Sequence, residues 1–359
     1  MLASSVFVNL KRKITTITQH PSIIKDLLSG KSKTEIGIKI RQLDERARKS
    51  AEDSEVRSFI TKLKQASSNS NHADPNRRMR LNKLCCIEDW ENHELKDIVP
   101  KLQDITYYNK YQGILARKPG QIHRKDWEWT LGIIAMKRFG KLHAKSIAIG
   151  IGAGRELILF YLANHLGHVY ATDLYSTKEW ENFAPADFPE NPSKYAPFPY
   201  NQSALTVLRM DGTRLEFPSD SFDIVFSFSS IEHFGGQDYS GALKSLKEME
   251  RVLKPGGIAI VATEYIINKK NPPDLTNQFY NEHTIYSHLI DRLNGMKLVE
   301  PLDLTISPKT LDKGIIDASN AVDWDTSTAD DDFKQANPYI VIKLGNILVT
   351  SIMLVFQKK

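Results

Sequence analysis

The stretch SIAIGIGAGRE, Ser146–Glu156, sets glycines at 150, 152 and 154 behind a run of apolar residues. A strand running into such glycines and a helix running out of them bring backbone close to whatever lies above the turn. Gly150 permits the tight turn, Gly152 keeps a Cβ out of a ligand's path, and Gly154 lets the helix start close to the strand. Ile151 lies inside this pattern, and Glu156 stands where the helix opens. The alternative is a plain strand–helix turn whose glycines serve packing. The spacing is G-x-G-x-G, whereas the dinucleotide fingerprint has its third glycine one place later, where Arg155 stands. A pyrophosphate on the helix N-terminus is therefore disfavoured.

Two acids extend the pattern. In HVYATDLY, Asp173 ends an apolar run 19 residues after Gly154, and a carboxylate at a second strand tip can accept from both ribose hydroxyls. A helix N-cap is its alternative role. Leu174, next in the chain, joins the same candidate set. In LRMDGTRL, Asp211 can take an exocyclic amine of adenine while Gly212 leaves that edge open; a simple Asp-Gly turn is the alternative. Ser227 and Phe228 then end a fourth strand at the mouth of the same crevice, where open parallel sheets bind ligands. Asp223, at that strand's start, reads as structural.

These residues need a sheet to bring them together. Apolar runs at Ser146–Ile151, His168–Asp173, Thr206–Arg209, Phe222–Phe228 and Gly257–Glu264 alternate with helical patterns such as Glu156–His165 and Gly241–Leu253. That alternation predicts a parallel sheet covered on both faces. Later runs at Lys297–Leu304 and Asn346–Phe356 add two strands, the last antiparallel. The expected fold class is α/β, a Rossmann-like, mostly parallel sheet of about seven strands.

Before it, residues 1–80 read as a basic, amphipathic helical extension and linker. Leu10, Ile14 and Ile17, then Ile24, Leu27 and Leu28, recur at helical spacing around Pro21. A second helix is expected from about Lys33 to Gln65, then a polar linker over Ala66–Asn76. The catalytic candidates all fall in residues 81–359.

With those residues in place, the chain from about Ile122 onward resembles the class I S-adenosylmethionine-dependent methyltransferases. ERVLKPGGIAIVATE looks like that family's helix, Pro-Gly-Gly turn and fifth strand. IHRKDWEW, GIGAGRE, YATDLY and SSIEHFGG look most like bacterial members associated with surface-polysaccharide biosynthesis. The resemblance implies S-adenosyl-L-methionine as cofactor and in-line methyl transfer to a placed nucleophile. One residue departs from the family pattern: two places before the first glycine, where an acid often helps hold the cofactor's methionine end, stands Ala148. Glu156 and the IHRKDWEW segment are the candidates to substitute.

A hydroxyl acceptor needs a base as it attacks. His233 in SSIEHF is the first candidate, because imidazole accepts a proton near neutral pH, and Glu232 is the second; a positioning role is the alternative for His233. Glu264, at the fifth strand's end, is expected to bind acceptor hydroxyls or to cap a helix. His123, Arg124, Trp127 and Trp129 belong to a segment that closes over the cofactor in the family, with at least one tryptophan in the core. The Pro- and aromatic-rich stretch Glu181–Tyr200, with Tyr195 and Phe198, is read as an acceptor-binding lid suited to a sugar ring.

Bulk properties bound these readings. The chain has 359 residues, 41% hydrophobic and 25% charged, ordinary for a soluble globular protein. No apolar run of about 18 residues predicts a membrane span, and MLASSVFVNLKRK lacks the order of a secretory signal. Cys85 and Cys86, adjacent and without metal-site spacing, fit a cytoplasmic protein with no metal. Of the charges, residues 1–90 hold 18 Lys/Arg against 10 Asp/Glu, and the rest 30 against 33. The basic N-terminal helices are thus candidates for peripheral membrane or protein docking. Nucleic acid is disfavoured as acceptor, because the catalytic part is slightly acidic and has no Asn/Asp-Pro-Pro-Tyr segment. The expected function is O-methylation of a saccharide, glycoconjugate or related small-molecule hydroxyl. The alternatives are a nicotinamide-dependent oxidoreductase and a non-catalytic cofactor-fold module.

Overall fold

The computed structural model describes residues 33–67, 76–103, 117–176, 181–235, 239–268, 279–318 and 331–359. The chain divides into two compact units, residues 1–62 and 63–359. The apolar pattern over Leu10–Leu28 and most of the Ala66–Asn76 linker lie outside the described residues. Helix α1 (Lys33–Ser67) covers the second predicted helix and runs past the first unit's end.

Among the described residues, one mixed sheet of ten strands organises the second unit. In chain order these are β1 (Lys83–Leu84), β2 (Ile147–Ile151), β3 (His168–Asp173), β4 (Leu205–Arg209), β5 (Phe222–Phe228), β6 (Leu253–Ile266), β7 (Met296–Leu298), β8 (Ile315–Asp317), β9 (Val341–Leu344) and β10 (Ile347–Lys358). The spatial order is β4-β3-β2-β5-β6-β10-β9-β8, with β1 and β7 also pairing to β10. From β4 to β6 every pairing is parallel. β10 inserts antiparallel beside β6, placing Ser351 opposite Glu264.

Against the expected sheet of about seven strands, the described residues form ten. β1, β8 and β9 are two to four residues long, too short for an alternation of apolar residues to register against their surroundings. The strand expected over Lys297–Leu304 shortens to Met296–Leu298.

Helix α2 (His93–Leu102) contacts α3 (Arg124–Arg138), which lies across β5, β6 and β10. Helix α4 (Leu157–Ala163) follows the glycine turn, and α5 (Ser240–Val252) packs on the opposite face through Ala242, Leu246 and Met249. α3 has few exposed positions because it is sandwiched: Trp127, Trp129, Leu131 and Ile133 are all inaccessible. Gly132 sets how near it comes, since a Cβ there would stand 2.8 Å from the Phe228 ring. Burial of side chains of this size stabilises by roughly 1.5–3 kcal/mol each, which fixes α3 on the β5–β6–β10 face with its first residues, Arg124 and Lys125, at Glu264 and Phe228.

Candidate active site

The glycine turn is built by backbone geometry that an L side chain resists. Gly152 and Gly154 have φ of +61° and +45°. The turn is then tied to β3: the Gly154 N–H donates to Asp173 Oδ2 at 3.0 Å, and the Leu174 N–H donates to Asp173 Oδ1 at 2.7 Å. The Tyr175 hydroxyl donates to the Gly154 carbonyl at 2.7 Å. Burial pushes the Asp173 carboxyl up from its ordinary range, opposed by these backbone donors. Asp173 is therefore a half-buried carboxylate at a strand tip, fixed in place and not capping a helix.

The glycines differ from expectation in what they make room for. A Cβ on Gly154 would meet the Phe183 carbonyl oxygen at 2.4 Å. One on Gly152 would meet Ser230 and the Phe234 ring, and one on Gly212 would meet Ile151 and the same ring. Phe234 thus wedges between the tips of β2 and β4, and the missing Cβ atoms at Gly152 and Gly212 accommodate protein side chains. Ile151 is buried and forms the floor under Gly212. Asp211 is exposed, and its Oδ1 accepts from the Thr213 N–H and hydroxyl, both at 2.8 Å. The Asp-Gly turn is present, and Oδ2 remains to accept from another donor.

Apolar surface accompanies these acceptors. Leu174 is 52% exposed and Phe183 38%; with Ile38 they are the large hydrophobic residues left exposed among those described. The Glu181–Tyr200 stretch carries Phe183 and docks on the glycine turn itself. The Arg155 N–H donates to the Phe183 carbonyl at 2.8 Å, its Nε donates to the Asn182 carbonyl at 2.8 Å, and its guanidinium lies over Tyr195 at 5.3 Å. The Tyr195 hydroxyl donates to Asp187, and Phe198 is half-buried. The stretch therefore covers the β3–β4 side of the crevice.

A charged cluster closes the other side. Lys125 Nζ donates to Glu156 Oε1 at 2.9 Å and to the Phe228 carbonyl at 2.8 Å, and stands 3.1 Å from Glu128 Oε2. Burial, which alone would lower the Lys125 pKa, is outweighed by the two carboxylates, and the ammonium is held. Glu128 is inaccessible and accepts from Ser229 and Ser351. Burial would raise it, but Lys125 and Arg124 hold it below its usual range. Glu156 sits at the N-cap of α4 without capping it. Burial pushes its carboxyl up to about 7 despite Lys125, and its Oε2 has no hydrogen-bond partner.

Beyond this cluster, Arg124 NH2 donates to Glu264 Oε1 at 2.5 Å. Glu264 is thus an ion-pair partner and caps no helix. His123 caps α3 by accepting from the Lys125 N–H and stacks on Tyr339. Trp127 and Trp129 are both in the core.

The two candidate bases part company. Glu232 is 1% exposed; its Oε2 accepts from the Thr263 hydroxyl at 2.9 Å while its Oε1 has no partner. Burial and the charge of Glu264 push its carboxyl up to about 8. His233, one residue on, is exposed. Ser227 is buried within β5 and its hydroxyl is unpartnered. Asp223 accepts from the Ile147 N–H and Lys254, which pins the starts of β2 and β5. The sequence singled out Glu156 and the segment that holds Lys125; the bond between them, across 31 positions, was not legible in it.

The residues present fit a nucleoside with a charged end. A fixed carboxylate stands beside exposed apolar side chains at one end of the crevice, and an unpartnered buried carboxylate oxygen stands at the other. Residues 149–261 match the family model described as a methyltransferase domain. The match supports S-adenosylmethionine as the cofactor. No curated protein matches the chain.

Among solved structures, geranyl diphosphate C-methyltransferase from Streptomyces coelicolor A3(2) is similar at 11% identity, covering 75% of this chain and 98% of that one, with a TM-score of 0.45. A SAM-dependent methyltransferase from Aquifex aeolicus is similar at 16% identity, over 72% and 97%, with a TM-score of 0.36. The YcgJ protein from Bacillus subtilis is similar at 17% identity, over 64% and 98%, with a TM-score of 0.38. Among the described residues, no helix is long and apolar enough to cross a membrane, and no cluster of His, Cys, Asp and Glu has the arrangement of a metal site.

Proposed function

We propose that the chain is an S-adenosylmethionine-dependent O-methyltransferase acting on a saccharide, glycoconjugate or related small-molecule hydroxyl, with residues 81–359 as its catalytic part. The observation that carries this reading is Asp173, held by the Gly154 and Leu174 N–H groups at the tip of β3. A carboxylate so fixed presents its remaining lone pairs to a pair of ribose hydroxyls. Gly150, Ile151, Gly152 and Gly154 shape the turn beneath, Leu174 lies against the base, and Asp211 faces its amine, with Gly212 letting Ile151 and Phe234 pack behind it. Ser227 and Glu156 complete the set on the β5 side.

The cofactor, when bound, supplies an electrophilic methyl group. The chain must orient the acceptor, exclude water and receive a proton. Glu232 suits the last task better than His233. Its Oε1 is buried without a hydrogen-bond partner, and with the carboxyl pushed up to about 8 its ionised form, which grows as pH rises through that value, is a stronger base than an ordinary carboxylate. His233, being exposed, suits acceptor positioning at the rim.

The oxidoreductase reading is disfavoured by Arg155. It occupies the third-glycine place, and its N–H is already bonded to the Phe183 carbonyl at 2.8 Å, so it offers nothing to a pyrophosphate. Incubation with methyl-labelled S-adenosylmethionine and a panel of saccharide and amine acceptors tests the proposal. Label in a base-stable O-methyl ether of a sugar is expected; label only on nitrogen or carbon would overturn it.

A further inference from the structure

We propose that a cleft at the other end of α3 from the cofactor crevice is a second ligand site, and that it takes a phosphate monoester on the guanidinium groups of Arg77 and Arg78. Lys125, in the first turn of α3, reaches the crevice at the Phe228 carbonyl, whereas Arg138, its last residue, lines the cleft. A helix of 15 residues sets the two ends about 20 Å apart. The inference therefore stands or falls apart from the methyltransferase reading.

The cleft has a volume of about 380 Å³ and is lined by Arg77, Arg78, Arg80, Arg138, Phe139 and Glu300, with Met79, Leu81 and Val299 beside them. That is within the range of small-molecule sites. The arginines stand on a segment that its neighbours hold. Met79 and Leu81 are buried while Arg78 and Arg80 are exposed, so the chain alternates between core and solvent. The Met79 N–H donates to Glu94 Oε2 at 2.9 Å, and the Arg77 carbonyl accepts from Asn92 Nδ2 at 2.8 Å. The Leu81 and Asn82 N–H groups donate to Glu300 Oε1 at 2.5 and 3.2 Å.

The charges around the cleft are unevenly paired. Arg138 is committed to Glu94, through Nε and NH2, and to the Met79 carbonyl. Arg80 stands 3.8 Å from Asp303. Glu300 is drawn to the two backbone N–H groups. Arg77 and Arg78 are exposed, and among the described residues neither has a carboxylate partner. Two guanidinium groups at one cleft are thus left to an outside anion. The carbonyls at the C-terminal end of α3 oppose an anion there, and Arg138 in the last turn offsets them.

The chemistry of that anion follows from the donors. Guanidinium groups bind planar pairs of oxygens by parallel N–H bonds, and a phosphate monoester offers three terminal oxygens with up to two negative charges. A carboxylate has two oxygens and one charge, and would leave one of the arginines unused. Phe139 and Val299, both half-buried, give the organic part of the ester an apolar wall. The basic excess of residues 1–90 has in Arg77, Arg78 and Arg80 a fixed place on the fold.

A phosphate monoester can be a soluble metabolite or the headgroup of a lipid, and two probes separate these sources. Glycerol 3-phosphate is titrated calorimetrically into the full chain, and phosphatidylcholine vesicles with and without phosphatidic acid are sedimented with it. The Arg77→Gln/Arg78→Gln variant is compared with Lys244→Gln/Lys247→Gln, which removes two exposed cations from α5. Equal urea midpoints show that both variants keep the fold. One glycerol 3-phosphate bound per chain, about tenfold or more weaker in the arginine variant and unchanged in the lysine variant, is expected. Binding only to phosphatidic acid vesicles, lost in the arginine variant alone, would support the site and assign its phosphate to a membrane surface. Absence of binding to both probes, or equal weakening by the two variants, would overturn the site.

Discussion

Replacing Gly154 with alanine tests how the cofactor turn is held. The residue has φ of +45°, where an L side chain costs roughly 1–2 kcal/mol. Its Cβ would stand 2.4 Å from the Phe183 carbonyl oxygen. That neighbour is backbone, bonded to the Arg155 N–H at 2.8 Å, so it cannot turn aside as a side chain would. Separating the two segments costs about one further hydrogen bond, near 1 kcal/mol. The sum is roughly 2–3 kcal/mol of stability. The shift also pulls the Gly154 N–H from Asp173, so S-adenosylhomocysteine affinity should fall about tenfold or more.

Gly212→Ala is the control. Its Cβ would meet only side chains, Ile151 and Phe234, which can give way at about 1 kcal/mol. Urea unfolding followed by tryptophan fluorescence reads both, since Trp127 and Trp129 are fully buried. Equal midpoints for wild type and Gly154→Ala, or a larger loss in Gly212→Ala, would refute the docking of the Glu181–Tyr200 stretch on the turn.

Three further outcomes are expected. Glu232 has a folded-state pKa of about 8 against 4.5 for the ordinary group, so its stabilising share is complete below about pH 4.5 and is lost as pH rises through 8. Glu232→Gln should match wild type near pH 5 and be more stable at pH 8, on the order of a few kcal/mol, by urea midpoints; parallel pH curves would count against a raised carboxyl. Glu264→Gln leaves the Arg124 guanidinium buried with its nearest counter-charge gone, and should cost about 3 kcal/mol. A loss under about 1 kcal/mol in the same unfolding assay would mean that Glu128 suffices. Tyr195→Ala should leave S-adenosylhomocysteine affinity unchanged and raise the acceptor KM; unaltered acceptor kinetics would remove the Glu181–Tyr200 stretch from acceptor binding.

The strands from β2 to β6 were legible because each is a continuous apolar run between turn signals, as buried parallel strands must be. His168–Asp173 and Phe222–Phe228 coincide with their expected bounds. β8 and β9 were not legible, since three- and four-residue strands owe their existence to pairing with each other and with β10. Asp173 was legible from its distance to the glycines. The use of those glycines was not, because the Phe183 carbonyl and the Phe234 ring reach them from 29 and 82 positions along the chain. Burial separated Glu232 from its neighbour His233, and a turn of three residues, Ile231–His233, decides which of the two faces inward.

The measurement that bears most directly on the cofactor crevice is equilibrium dialysis of the full chain with methyl-tritiated S-adenosylmethionine, beside Asp173→Asn. That variant keeps the shape but removes the charge and puts an NH2 donor where the Gly154 or the Leu174 N–H had an oxygen acceptor. One cofactor bound per chain, not displaced by NADH, with affinity lowered about tenfold or more in the variant, is the predicted result. Absence of binding, displacement by NADH, or an affinity indifferent to Asp173 would contradict the account.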